Sequence, residues 1–91
     1  MVVEVEGDGA LAHTEQRLDG PARLVVDFPG VILPREFKRP SMVHGPVKGL
    51  RVAQHQLNPN VVRLVADLRT DAPYSVTAEG NGVRIVIGPQ P

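Results

Sequence analysis

Ninety-one residues suffice for one small domain, and a domain of that size buries only roughly 60–65% of the surface its unfolded chain exposes. Ten Lys and Arg balance ten Asp and Glu, so the basic excess of a general phosphate-backbone binder is missing. The chain has no cysteine, which excludes disulfides and thiolate metal sites, and nine glycines with nine prolines interrupt it too often for long helices.

The residues are 42% hydrophobic but only 3% aromatic, so the core must be aliphatic and led by Val and Leu. No run is long and apolar enough to cross a membrane as a helix, and no signal-peptide pattern is present. Met1 leads directly into Val2-Val3-Glu4-Val5, as a domain cut from a longer protein would.

Taken in chain order, Val2 to Glu6 reads as a short strand, ended by the turn signal Gly7-Asp8-Gly9. Ala10 to Leu18 reads as a more polar strand, followed by the turn Asp19-Gly20-Pro21. Ala22 to Phe28 alternates with period two, the geometry of a strand whose side chains point to opposite faces. Pro29-Gly30 stops it. Residues 31 to 46 read as a long ordered connection with one helical turn near Arg35 to Lys38. Val47 to Gln56 is a strand, and Asn58-Pro59-Asn60 is the turn after it. Val61 to Leu68, Tyr74 to Ala78 and Val83 to Ile87 are the last strands, with Gly80-Asn81-Gly82 as a hairpin turn.

One segment is used twice. Arg23-Leu24-Val25-Val26-Asp27-Phe28 recurs as Arg63-Leu64-Val65-Ala66-Asp67-Leu68, with a degenerate third copy at Arg84-Ile85-Val86-Ile87-Gly88. In each full copy one face is apolar and the other carries a cation, a valine and an anion. The repeat predicts an all-β protein, a small β-sandwich of two similar sheets built from an internal duplication, in which residues 2–28 match 62–87. A barrel is the alternative. The domain boundaries are 1–91, with an N-terminal half of about 1–33 and a C-terminal half of about 47–88. Leu24, Val26, Phe28, Val52, Leu64, Leu68, Val76, Ile85 and Ile87 are the expected core.

Five ordered segments carry a family resemblance. They are Pro21 to Phe28, Gly49 to His55, Val62 to Leu68, Tyr74-Ser75-Val76 and Val83 to Ile87. Together, over about residues 21 to 88, they resemble the AMIN domain, named for the amidase N-terminus. That resemblance implies a non-catalytic module of the bacterial periplasm. Such modules bind peptidoglycan and place a parent protein, a cell-wall amidase or a type IV pilus secretin, at the septum or pole. Carried over residue by residue, it implies a peptidoglycan-binding role for Arg23, Val25 and Asp27 and for Arg63, Val65 and Asp67, one set on each of two outer faces. Arg51, His55 and Arg84 are secondary candidates. The chain departs from the pattern in its short N-terminal half and at Gly88, where the other copies carry Asp.

The chemistry fits that implication. Peptidoglycan offers neutral sugar hydroxyls and stem-peptide carboxylates, and an arginine fork binds carboxylates with paired donors. With only Tyr74, Phe28 and Phe37 as aromatics, recognition would be polar, weak per site and strengthened by two copies. The competing reading is that Arg and Asp on exposed strands simply pair across the sheet. His13, His44 and His55 fit no local metal-ligand spacing, and no cofactor is expected. Arg35, Lys38 and Arg39 form a local basic run, read as a solvated loop. Ser41 and Ser75 stand in no nucleophile motif, so the chain is not expected to be an enzyme. Partners beyond peptidoglycan would be other domains of the parent or pilus-assembly proteins, with no nucleic acid and no membrane insertion. The rival function is a protein-interaction module that adds a partner strand at a sheet edge within a secretin or envelope assembly.

Overall fold

The structure, a computed structural model, describes residues 1–7, 11–34, 45–69 and 72–88. Seven strands form: β1 (Val2–Glu6), β2 (Thr14–Leu18), β3 (Arg23–Pro29), β4 (Val47–Gln56), β5 (Val61–Leu68), β6 (Tyr74–Glu79) and β7 (Gly82–Ile87). No helix occurs among the described residues. The turn expected near residues 35–38 lies outside them, as do Asp8, Gly9, the basic run Arg35, Lys38 and Arg39, Ser41 and His44. Residues 11–13, expected in the second strand, are not in it.

The strands make two antiparallel sheets, ordered β1-β7-β6 and β2-β3-β5-β4. The protein is all-β, and both sheets feed one core. Leu24, Val26 and Phe28 from β3 and Val62, Leu64, Ala66 and Leu68 from β5 join Val83, Ile85 and Ile87 from β7 in a single apolar cluster. Period-two alternation produces this directly. In β5 every second residue is buried and every other one is half-exposed. Val52 and Val76, expected in the core, are only half-buried, because each lies on an edge strand with cover from one side. Each sheet also mixes sequence halves, since β1 pairs with the C-terminal β7 and β3 pairs with the C-terminal β5. Replacing β1, β7 and β6 by β5, β3 and β2 reproduces the order of three neighbouring strands in the larger sheet.

Two glycines are required by their positions. Glu79 pairs with Gly82, which leaves Gly80-Asn81 as a two-residue hairpin loop. Gly80 has φ 58°, where a type II′ hairpin turn places glycine. Gly82 is therefore the first residue of β7 rather than part of the turn. A Cβ on it would collide with the carbonyl oxygen of Val5, so β1 can approach β7 there only over a glycine.

The edges of the larger sheet are managed by polar side chains. On β2, Glu15 and Arg17 stand opposite Val26 and Leu24 and so lie on the core-facing side of an edge strand. Arg17 donates to the carbonyl of Ala72 at 3.2 Å. Charges aimed inward at an edge deter pairing with another chain. On β4, the Gln54 amide serves as a strut. Its oxygen accepts from the backbone N–H of Leu33 at 2.8 Å, and its nitrogen donates to the carbonyls of Val31 (3.0 Å), Gln56 (3.2 Å) and Val61 (3.1 Å). The strut holds residues 31–33 beside the core, where Val31 and Leu33 pack against it.

Two stability effects follow. Leu64 is 1% exposed, and Leu64→Ala should cost about 2–4 kcal/mol, the range for a buried leucine whose cavity collapses only partly. Gln54→Glu keeps the side-chain shape but turns a donor facing three carbonyls into an acceptor. It should cost about 1–3 kcal/mol, as buried backbone groups lose their partner. Chemical denaturation of both variants checks this, and an unchanged midpoint for Gln54→Glu would show that the strut bears no strain.

Candidate functional site

The outer face of the larger sheet is set by strand register. Reading across β2, β3, β5 and β4, three rows of side chains are Leu18, Arg23, Asp67, Gly49; then Gln16, Val25, Val65, Arg51; then Thr14, Asp27, Arg63, Ala53. All six residues singled out by the repeat therefore lie on one face, on two adjacent strands. The expectation that they occupy two separate outer faces is wrong. The two copies pair with each other instead of with different sheets, because β3 and β5 are hydrogen-bonded neighbours. The six residues make one patch.

Within this patch the pairing centres on Val25 opposite Val65. Asp27 then faces Arg63, and Arg23 faces Asp67. The first pair is closed. Arg63 donates through Nε to Asp27 Oδ1 at 2.8 Å and through Nη2 to Oδ2 at 3.0 Å, a two-pronged bond between directly opposed residues. The second pair is not closed. Arg23 Nη1 donates to the carbonyl of Pro21 at 2.8 Å, while Asp67 Oδ1 accepts from Arg51 Nη2 at 3.2 Å along a diagonal from β4. Arg51 is 65% exposed, so this bond is screened and weak.

Val25 is only 6% exposed although it points away from the core, and it is not part of the apolar cluster. Its neighbours on that face are Gln16 and Val65, with Arg63 and Asp67 on the diagonals. A position so enclosed supports its neighbours and offers little surface to a ligand. Val65 is half-buried.

The secondary candidates divide. Arg51 is on the same face as the six, whereas His55 falls in the irregularity of β4 between Gln54 and Gln56, near enough for its charge to act on Asp27. Arg84 is on the other sheet, opposite Glu4, and pairs with it at 3.3 Å. It does not join the patch. The reading that Arg and Asp pair across strands is thus realised at Asp27–Arg63 and Glu4–Arg84. Sequence reasoning missed Gly49, which borders Asp67, and Gln54, which braces β4. A glycine opposite a charged position has no sequence signal until the register is known. Among the described residues no group of three or more His, Asp or Glu side chains could hold a metal ion.

The closed pair sets the electrostatics. The hydrogen bonds from Arg63 hold the Asp27 carboxyl below the usual aspartate range; partial burial opposes this, and the charges of Arg63 and His55 add to it. Reciprocally, Asp27 raises the pKa of Arg63. Because the folded pKa of Asp27 lies below its unfolded value, the pair contributes fully above the usual aspartate pKa, and the contribution is lost as pH falls through the folded value. Asp27→Asn should therefore cost about 0.5–1 kcal/mol near neutral pH, the scale of a well-made cross-strand ion pair at a half-exposed site. The difference from wild type should shrink towards zero on acidification below the usual aspartate range. Denaturation curves across that range check the sign.

A family model for the AMIN domain matches residues 1–89, nearly the whole chain. No curated protein matches it. AMIN domains are in general periplasmic, non-catalytic accessory modules that bind peptidoglycan and target the proteins that carry them. The match covers both sheets and every strand that builds the charged face, and this chain belongs to the AMIN domain family.

Proposed function

We propose that this chain is a non-catalytic module that binds peptidoglycan through the outer face of the β2-β3-β5-β4 sheet and so carries a parent amidase or pilus secretin to the cell wall at septum or pole. Residues 1–91 act as one domain of two interleaved halves, about 1–33 and 47–88. The observation that carries the reading is the convergence of Arg23, Arg51, Arg63, Asp27 and Asp67 on one sheet face. Asp27 neutralises Arg63 and Asp67 is met by Arg51, which leaves Arg23 as the arginine on that face without a carboxylate partner among the described residues. Arg63 and Asp27 frame the patch, and Arg23 makes the contact. Stem-peptide carboxylates are the matching groups on the wall.

A second reading has its own observation. One sheet has three strands and the other four, so the edge of β1, unpaired among the described residues, corresponds to the position where β4 pairs with β5. A partner protein could add a strand there by backbone hydrogen bonding.

Co-sedimentation with purified insoluble sacculi separates the two. Wild-type protein should pellet at low ionic strength and less so at physiological ionic strength, where exposed charges are screened over about 8 Å. Arg23→Ala should keep its circular dichroism spectrum and unfolding midpoint and bind roughly three- to tenfold more weakly, the loss of one exposed charge-assisted contact. Arg63→Ala should lower stability, since it strands Asp27. A folded Arg23→Ala protein that pellets as well as wild type would remove Arg23 as the contact, and wild-type protein that does not pellet at all would favour the β1-edge reading.

A further inference from the structure

The peptidoglycan-binding face has a break in its symmetry that specifies what it can hold. About the central Val25–Val65 pair, the sheet presents the same two side chains twice, each arginine directly opposite an aspartate. Asp27 and Arg63 consume each other. Arg23 and Asp67 do not. In the turn before β3, the Pro21 carbonyl takes one N–H of Arg23, and Arg51 takes only Oδ1 of Asp67. Among the described residues Asp67 Oδ2 accepts no hydrogen bond. It faces the backbone of Gly49, where a Cβ would stand 3.1 Å away. Glycine on β4 thus lets that oxygen lie against the strand without a Cβ crowding it, while Arg51 holds the other oxygen of the carboxylate.

The result is a cation and an anion on opposed positions of adjacent strands, each with unused hydrogen-bonding capacity. Opposed Cα atoms in such a ladder are about 4.5–5.5 Å apart, so one small group can meet both side chains. Resting on the reading of this face as a peptidoglycan contact, we propose that the Arg23–Asp67 row recognises an α-amino-acid head group, a carboxylate and an ammonium on one carbon. A stem-peptide diamino diacid whose distal amine is not cross-linked presents that group on its far carbon. Its carboxylate accepts from the Arg23 guanidinium, and its ammonium donates to Asp67 Oδ2. The pairing is selective by repulsion as well as attraction. A lone carboxylate at Arg23 is repelled by Asp67, a lone amine at Asp67 is repelled by Arg23, and a neutral sugar gains from neither charge. The domain therefore favours wall regions where cross-links have not yet consumed the free amines.

The test uses sacculi before and after N-acetylation with acetic anhydride, which removes the ammonium and leaves the carboxylate in place. Wild type and Asp67→Asn are compared by co-sedimentation, with circular dichroism as a control for folding. Acetylation should weaken wild-type binding roughly three- to tenfold, as expected for one exposed ionic hydrogen bond. Asp67→Asn should bind native sacculi more weakly than wild type and be indifferent to acetylation. Equal wild-type binding to native and acetylated sacculi would overturn the proposal and leave the peptidoglycan reading standing. An equal loss in both proteins on acetylation would also overturn it, since the amine would then act elsewhere. Failure of wild type to pellet with native sacculi would overturn the peptidoglycan reading itself. Unchanged wild-type binding after acetylation overturns the proposal whatever the variant does, and a wild-type loss supports it only together with the indifference of Asp67→Asn.

Discussion

The antiparallel pairing of β3 with β5 is the constraint from which the rest of the molecule follows. Both strands carry a cation at one end of their outer face, valine in the middle and an anion at the other end. Laid antiparallel and in register, such a motif meets its own copy with opposite charges at both ends. Laid parallel, it would set arginine beside arginine and aspartate beside aspartate, and like charges directly opposite each other destabilise a sheet. A slip of one residue would turn out to solvent the apolar set of the strand that slips, Leu24 and Val26 on β3 or Leu64 and Ala66 on β5. Charge selects the direction and apolar burial selects the register. Their agreement makes this joint the centre of the larger sheet.

That joint also interleaves the chain. Because β3 is spent on β5, the first strand finds its partner in β7, and each sheet is completed by strands from both ends of the sequence. The apolar cluster spans both sheets for the same reason. Long-range closure of this kind must overcome loop entropy before it gains contacts. The Gln54 strut and the inward charges of β2 finish the two exposed edges, where strand pairing alone would leave open backbone.

Functionally, pairing the two copies turns a repeated motif into an asymmetric one. A mutually satisfied ion pair contributes order but offers little to a ligand, whereas an unsatisfied pair nearby keeps its donors and acceptors available. The difference arises from the neighbours. Pro21 and Arg51 draw Arg23 and Asp67 apart, and among the described residues no other hydrogen-bonding partner competes for Asp27 and Arg63. Each copy therefore gives one member to the closed pair and one to the open pair, and halves of the motif that look equivalent in sequence end in different states in the folded protein.

The strands were legible in the residues because period-two alternation and glycine-proline turns are local properties. Six of the seven strands begin and end within one residue of where the pattern places them. The inward faces of β3, β5 and β7 were legible for the same reason. The ordered segments also pointed to the AMIN family. The sequence by itself thus determined the elements, their inner and outer faces, the aliphatic core and the residues that carry charge. Only the tertiary structure decided which strands are neighbours. That choice placed both copies of the motif on one face, closed Asp27 with Arg63, enclosed Val25, set Arg84 on the far sheet and brought Gly49 beside Asp67. Alternation says which way a side chain points, but it carries no information about the strand beside it, because pairing depends on contacts between residues far apart in the chain.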